Sequence, residues 1–281
     1  MRFGVSMFVT DETIAPVVLG RLVEERGFDA LFVTEHTHMP VDHTPHPSGP
    51  VLPDEYKRSL DPFVVLTAVA AVTTRVRLGF GIALLPQRDP IVTAKAIASL
   101  DVVSGGRVDL GIGAGWNRPE VEHHGTPWDQ RFGVMRERVE AMRALWTQEV
   151  ASYHGRHVDF ADSWSWPKPV QDPLPVWVGG NGPKVLDRVL RYGDHWMPNR
   201  MSGLAERVAE LRARAQAAGR LRPSVAYFGT PLDPGAVEKL QAAGVDLALL
   251  LLPSAARGEV ERAADAAAEL AARFRDGADQ I

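Results

Sequence analysis

The 281-residue sequence contains no cysteine. Disulfides, thiolate nucleophiles, iron–sulfur ligation and cysteine-based zinc sites are thereby excluded together. It has no basic stripe either: 31 Lys and Arg are scattered among 35 Asp and Glu, for a net charge of −4. That balance argues against nucleic acid as a partner. No apolar run approaches the ~18 residues of a membrane span. The opening "MRFGVSMF" has the pattern of a strand, not of a charged-then-apolar export signal. These absences lead us to expect a cytoplasmic protein that acts on a small molecule, without membrane or nucleic-acid partners.

What is present is alternation. Short apolar runs at 2–7, 29–33, 76–81, 107–112, 175–178, 194–197, 224–228 and 246–251 read as strands. Helical patterns fall between them near 13–26, 62–74, 90–103, 132–147, 183–191, 203–218, 235–243 and 257–274. Asp61-Pro62 and Asp89-Pro90 each place a capping side chain before a proline at the first helical position, and Gly182-Pro183 reads as a third such start. Eight strands alternating with eight helices, in a chain near the ~250 residues of a single barrel, predict a (β/α)8 TIM barrel with insertions, one domain over 1–281. An open doubly wound sheet is the alternative.

Two connections exceed ordinary loops. The stretch 34–61 carries five prolines and four histidines, and 148–174 contains a hairpin pattern turning at Gly155. Glu35, His36, His38 and His43 cluster just past the second strand. His36-Thr37-His38 has the spacing of a metal-binding pair, but the later strands end in "GAGWN", "GGNG" and "PSAAR", which offer no further ligands. A metal-dependent hydrolase is therefore disfavoured, no metal is expected, and His38 and His43 read as loop surface. The run "VGGNGPKV" lets backbone N–H groups approach an anion, or is simply a tight turn. In "GIGAGWNRPE", Gly111, Gly113 and Gly115 would let a flat ligand lie against the strand end, or serve packing alone. This loop shows no helix start, and Trp116 and Asn117 are expected in the mouth. Arg88, before a capped helix, reads as a surface ion-pair residue.

Taken in order, "GFDALFVTEH", "VRLGFGIALLPQRDPIVTAKAIASLDVVSGGRVDLGIGAGW", "PKPVQDPLPVWVGGNGPKVLDR" and "YGDHWMP" resemble the luciferase-like monooxygenase superfamily, and most closely its short F420-dependent members. The resemblance implies a barrel whose cofactor, coenzyme F420 or alternatively FMN, lies across the C-terminal mouth. It implies that Glu35 and His36 are the acidic residue and histidine beside the reactive ring. It also implies a non-proline cis peptide at Gly81-Ile82, continuing to Ala83, against the ring, and a phosphate loop over Val178, Gly179, Gly180, Asn181 and Gly182. Asn117 falls with the cofactor residues, and Phe8 and Trp116 with the substrate. Sugar-phosphate dehydrogenases of the family carry a glutamate where Trp116 stands, and no acid follows before Glu120. A bulkier, more apolar substrate is implied instead. The expected activity is F420-dependent hydride transfer to or from a small organic substrate, in a homodimer. An FMN-dependent monooxygenase and a non-catalytic flavin-binding protein are the alternatives.

Overall fold

A computed structural model describes residues 1–276 except Ser48 and Pro50; residues 277–281 of the expected domain lie outside the described residues. The strands are β1 (Arg2–Met7), β2 (Ala30–Val33), β3 (Arg77–Phe80), β4 (Ala83–Leu84), β5 (Val108–Gly113), β6 (Ala151–His154), β7 (Asp159–Ser163), β8 (Val176–Gly179), β9 (His195–Met197), β10 (Ala226–Thr230) and β11 (Leu247–Leu251). The helices are α1 (Pro16–Glu25), α2 (Glu55–Arg58), α3 (Pro62–Ala70), α4 (Pro90–Ser104), α5 (Arg118–His123), α6 (Arg131–Thr147), α7 (Val185–Tyr192), α8 (Leu204–Ala217), α9 (Pro234–Ala242) and α10 (Arg257–Asp276).

The parallel strands run in the order β10-β11-β1-β2-β3-β5-β8-β9. A parallel bridge from Trp196 to Val225 closes the ring. This is the (β/α)8 barrel, not the open sheet. Strand alternation explains the two apolar layers. Phe3, Val5 and Met7 of β1 face the large core between barrel and helices. Ala30, Phe32, Trp177, Met197, Leu247 and Leu249 fill the narrow barrel interior as a second cluster. The interior is so crowded that a Cβ on Gly111 would stand 1.9 Å from the Phe80 carbonyl oxygen. Gly111 is therefore a packing device and not a ligand seat.

The third stave is split. β3 pairs with β5 at Leu78–Val108, and β4 resumes the pairing at Ala83–Ile112. Between the two segments the Gly81–Ile82 peptide is cis. The Asp61 and Asp89 caps form as expected, each accepting from two backbone N–H groups of the first helical turn. The third expected start does not form. Val185 N donates to the Gly182 carbonyl, so Pro183 and Lys184 sit in a turn and the helix begins only at Val185. A helix does begin in the loop after β5, where none was expected: α5 starts at Arg118 with a proline in its first turn. The hairpin β6–β7 turns at Gly155 and is tied to α6 by Glu137, which accepts from His157 N at 2.6 Å. Among the described residues no helix is long and apolar enough to cross a membrane.

Candidate functional site

The C-terminal ends of the strands open into a cavity of about 590 Å³, within the range of small-molecule and cofactor sites. Its floor is the broken third stave. Gly81, Ile82 and Leu84 line it, beside Gly113 and Gly179 of the neighbouring strands. A Cβ on Gly113 would fall 1.8 Å from Ile82 Cδ1, so a larger residue there would displace the Ile82 side chain from the floor. Thr34 also lines the cavity, and its buried hydroxyl has no hydrogen-bond partner among the described residues.

Glu35 holds this floor from below. Its carboxylate accepts from Leu84 N at 2.6 Å and from Arg88, which also donates to Asp61. Burial pushes the Glu35 carboxyl up, against the pull of the Arg88 guanidinium and the Leu84 N–H. Arg88 is thus not a surface residue: its side chain is only 19% exposed and stacks over Phe63. Nor is Glu35 the acid partner of His36. Neighbouring residues of an extended segment project to opposite sides, and the two side chains diverge accordingly.

The acid beside His36 is Glu120, brought from α5. His36 Nδ1 lies 2.9 and 3.1 Å from the two Glu120 oxygens, with the side chains 6% and 1% exposed. Around this pair stand rings. Tyr56 is 5.0 Å and Trp116 6.0 Å from the His36 ring, centroid to centroid, and Phe8 packs on Tyr56 at 4.6 Å. His46 meets both Tyr56 and Trp116 edge-on. Burial raises the Tyr56 phenol and lowers the His46 imidazole, so both favour their neutral forms.

Several contacts fasten the 34–61 loop to α5. Thr44 N donates to Asn117 Oδ1 at 3.0 Å, Arg118 N donates to Thr44 Oγ1, and the Asn117 amide reaches Met39 sulfur. His38 Nε2 lies 3.0 Å from His123 Nδ1, and Thr37 Oγ1 lies 2.8 Å from His124 Nε2. His43 turns to the Thr44 carbonyl. Among the described residues no cluster of three or more His, Cys, Asp or Glu is arranged to hold a metal ion.

The far end of the cavity is lined by the loop after β8 and by two arginines. Gly180, Asn181 and Gly182 line it with Arg188, Asn199 and Arg200. The loop's carbonyls are engaged from outside: Trp196 Nε1 donates to Gly180 O, and Arg207 donates to Asn181 O and Gly182 O. The N–H groups of Asn181 and Gly182 make no hydrogen bond among the described residues. Gly180 has φ 111°, a conformation that favours glycine. Because the helix starts only at Val185, the donors that face the cavity here are these N–H groups and the Arg188 guanidinium, not a helix end.

Of the residues singled out in the sequence, Phe8, Glu35, His36, Gly81, Ile82, Trp116, Gly179, Gly180, Asn181 and Gly182 all border this one cavity. Three do not. Ala83 is fully buried in the pairing with Ile112, and Val178 faces the outer core. Asn117, also fully buried, spends its amide on the 34–61 loop. Glu120, Tyr56, His46 and Arg188 had not been singled out for the site. The aromatic and basic residues carried no local motif; Glu120 stood only four places from Trp116, without a signal that α5 would turn it inward.

Comparison with known proteins gives three kinds of match. A family model described as luciferase-like monooxygenase matches residues 10–232. An uncharacterized protein of Mycobacterium tuberculosis is 46% identical over 226 residues, covering 78% of this chain and 80% of that one. Two solved structures share the fold. The monooxygenase RslO1 from Streptomyces bottropensis superposes with a TM-score of 0.82 at 22% identity, over 98% of this chain and 100% of that one. The coenzyme F420-dependent tetrahydromethanopterin reductase from Methanopyrus kandleri superposes with a TM-score of 0.75 at 17% identity, over 97% and 99%.

Proposed function

The chain belongs to the luciferase-like monooxygenase family, and on that premise we propose that it is an oxidoreductase working with coenzyme F420, with FMN as the rival cofactor. The observation that carries this reading is a single cavity with two chemically different ends. One end is walled by rings and holds one histidine; the other offers unpaired N–H groups and arginines. A flat heterocycle with a phosphate-bearing tail fits both ends at once. When bound, the deazaflavin supplies a carbon that gives or takes a hydride.

The chain's own residues do the rest. Ile82, Gly113 and Gly179 form the floor on which a flat ring rests. The N–H groups of Asn181 and Gly182, with Arg188, bind the phosphate. Phe8, Tyr56 and Trp116 exclude water and favour an apolar substrate. His36 holds or moves a proton at the reacting oxygen. Glu35 acts beneath the floor, through Arg88 and the Leu84 N–H. A pure flavin carrier has no use for a histidine backed by a buried carboxylate, which supports an enzyme over a binding protein. A homodimer belongs to the same reading.

Preference for F420 over FMN is supported at the rim. Arg200 and Lys184 are exposed beside the loop after β8 and make no ion pair among the described residues. The F420 tail continues past its phosphate into carboxylates, which these cations suit, whereas FMN ends at the phosphate. Titration of the purified protein by fluorescence quenching tests this. F420 should bind at least tenfold more tightly than FMN, and the tail-less deazaflavin should bind more weakly than F420. FMN binding as tight as F420 binding overturns the assignment and moves the protein to the monooxygenases.

A further inference from the structure

We propose that Glu120 is a positioning residue: it fixes the proton of the neutral His36 ring on Nδ1, leaving Nε2, the nitrogen free to meet a ligand, as a proton acceptor. The proposal rests on the reading of His36 as the acid/base group, and it names the kind of atom that group must face.

The geometry is specific to this pair. Both Glu120 oxygens lie within 3.1 Å of the same ring nitrogen, and no other hydrogen bond to Glu120 is present among the described residues. A carboxylate can only accept, so in a neutral ring that shares a proton with it the proton sits on Nδ1. In water the neutral imidazole prefers the other tautomer, with the proton on Nε2. The contact therefore works against the intrinsic preference, in a setting where both side chains are almost fully withdrawn from solvent. A buried charge-assisted hydrogen bond is strong enough to reverse it. Nε2, on the far side of the ring from Glu120, has no hydrogen-bond partner among the described residues, and the ring borders the cavity.

Both partners are held from outside the pair. His36 is pinned through its backbone, with its N–H donating to Ser59 Oγ and its carbonyl accepting from the same hydroxyl. Glu120 is held by α5, which the 34–61 loop grips at Thr44, Thr37 and His38. The ring has little freedom to turn, so its tautomer becomes a property of the site. An acceptor at Nε2 suits a ligand that presents an O–H or N–H. A bare carbonyl finds no donor there until the ring is protonated. The substrate form that the resting site is built to receive is thus the hydroxyl- or amine-bearing one.

The test is read on the cofactor-free protein. In nitrogen-15-labelled protein at about pH 8.5, above the ordinary histidine range, long-range proton–nitrogen spectra distinguish a protonated from an unprotonated ring nitrogen. The His36 signals are assigned by their loss in His36→Asn. Nδ1 should appear protonated and Nε2 unprotonated in the unaltered protein. Glu120→Gln, whose amide can donate or accept, should shift the population severalfold toward the Nε2-protonated form. A His36 protonated on Nε2 in the unaltered protein overturns the proposal, as does an unchanged tautomer in a folded Glu120→Gln. The unaltered protein decides the first point even if that variant does not fold. A protein that fails to bind F420 yet keeps the Nδ1 tautomer refutes the cofactor assignment and leaves this inference standing.

Discussion

Replacing Arg88 with glutamine tests whether the cavity floor depends on a buried charge pair. The Glu35 side chain is 1% exposed, and Arg88 donates to it as well as to Asp61. Without the guanidinium, the carboxylate keeps only the Leu84 N–H in dry surroundings. Uncompensating a buried charge in this way costs about 3–5 kcal/mol. At ~2.1 cal/mol/K per residue, unfolding a chain of this length carries an entropy of about 0.6 kcal/mol/K, so the melting temperature should fall by about 5–8 °C. The pH dependence has a definite sign. Burial already raises the Glu35 carboxyl, and losing Arg88 raises it further. The variant's folded state then binds a proton that its unfolded state releases. Its stability is fully present below the ordinary glutamate range and is lost as pH rises through the raised folded value. The deficit against the parent should be widest near pH ~8 and narrow toward pH ~5. Thermal melts across this range measure it. A loss below about 1 °C at the alkaline end, or a deficit that widens on acidification, refutes the reasoning. The double variant Glu35→Gln/Arg88→Gln should recover part of the loss, because no buried charge remains.

Two further outcomes follow from other parts of the molecule. Gly182→Asp should weaken F420 binding at least tenfold while the fold persists, since an added Cβ there meets nothing within 4 Å and the new charge opposes the phosphate. Gly180 is the poorer choice because φ 111° would strain any side chain; unchanged affinity in folded Gly182→Asp makes the loop a turn and nothing more. At the opposite end of the barrel, burial raises the Glu24 carboxyl, but N–H groups of Val76, Arg75 and Thr74 and the Thr74 hydroxyl outweigh it and hold the pKa at about 2. Its contribution is present above the ordinary value of 4.5 and is lost as pH falls toward about 2. Glu24→Gln should cost about 2 kcal/mol at neutral pH, discounted for partial exposure, and the difference in denaturant midpoints should close in acid; a gap that persists at low pH contradicts this.

The barrel was legible because its signals are local. A parallel strand buried on both faces is a short apolar run, and an Asp-Pro pair caps a helix by reaching N–H groups two and three residues away. All eight barrel strands and both aspartate caps were marked in this way, and the loop after β8 stood out through its glycines. The Gly182-Pro183 start misled because the turn over Pro183 and Lys184 has the same punctuation as a helix start. The start at Arg118 did carry a signal, Asn117 at the cap position followed by Pro119 and Glu120, but the cap it advertises does not form, because Asn117 turns its amide to Thr44 and Met39.

The site itself divides along the same line. The sequence by itself determined that Glu35 and His36 stand together at a strand end, and that glycines crowd the neighbouring loops. Only the tertiary structure decided which partner each side chain meets, Arg88 for Glu35 and, for His36, a glutamate 84 residues further on. Adjacent residues in extended chain point apart by covalent geometry, whereas the partner of a side chain is whichever group the packed helices and strands bring to its far end. That distance in space is set by the closure of the barrel and the docking of α5 on the 34–61 loop, and no window of sequence contains it.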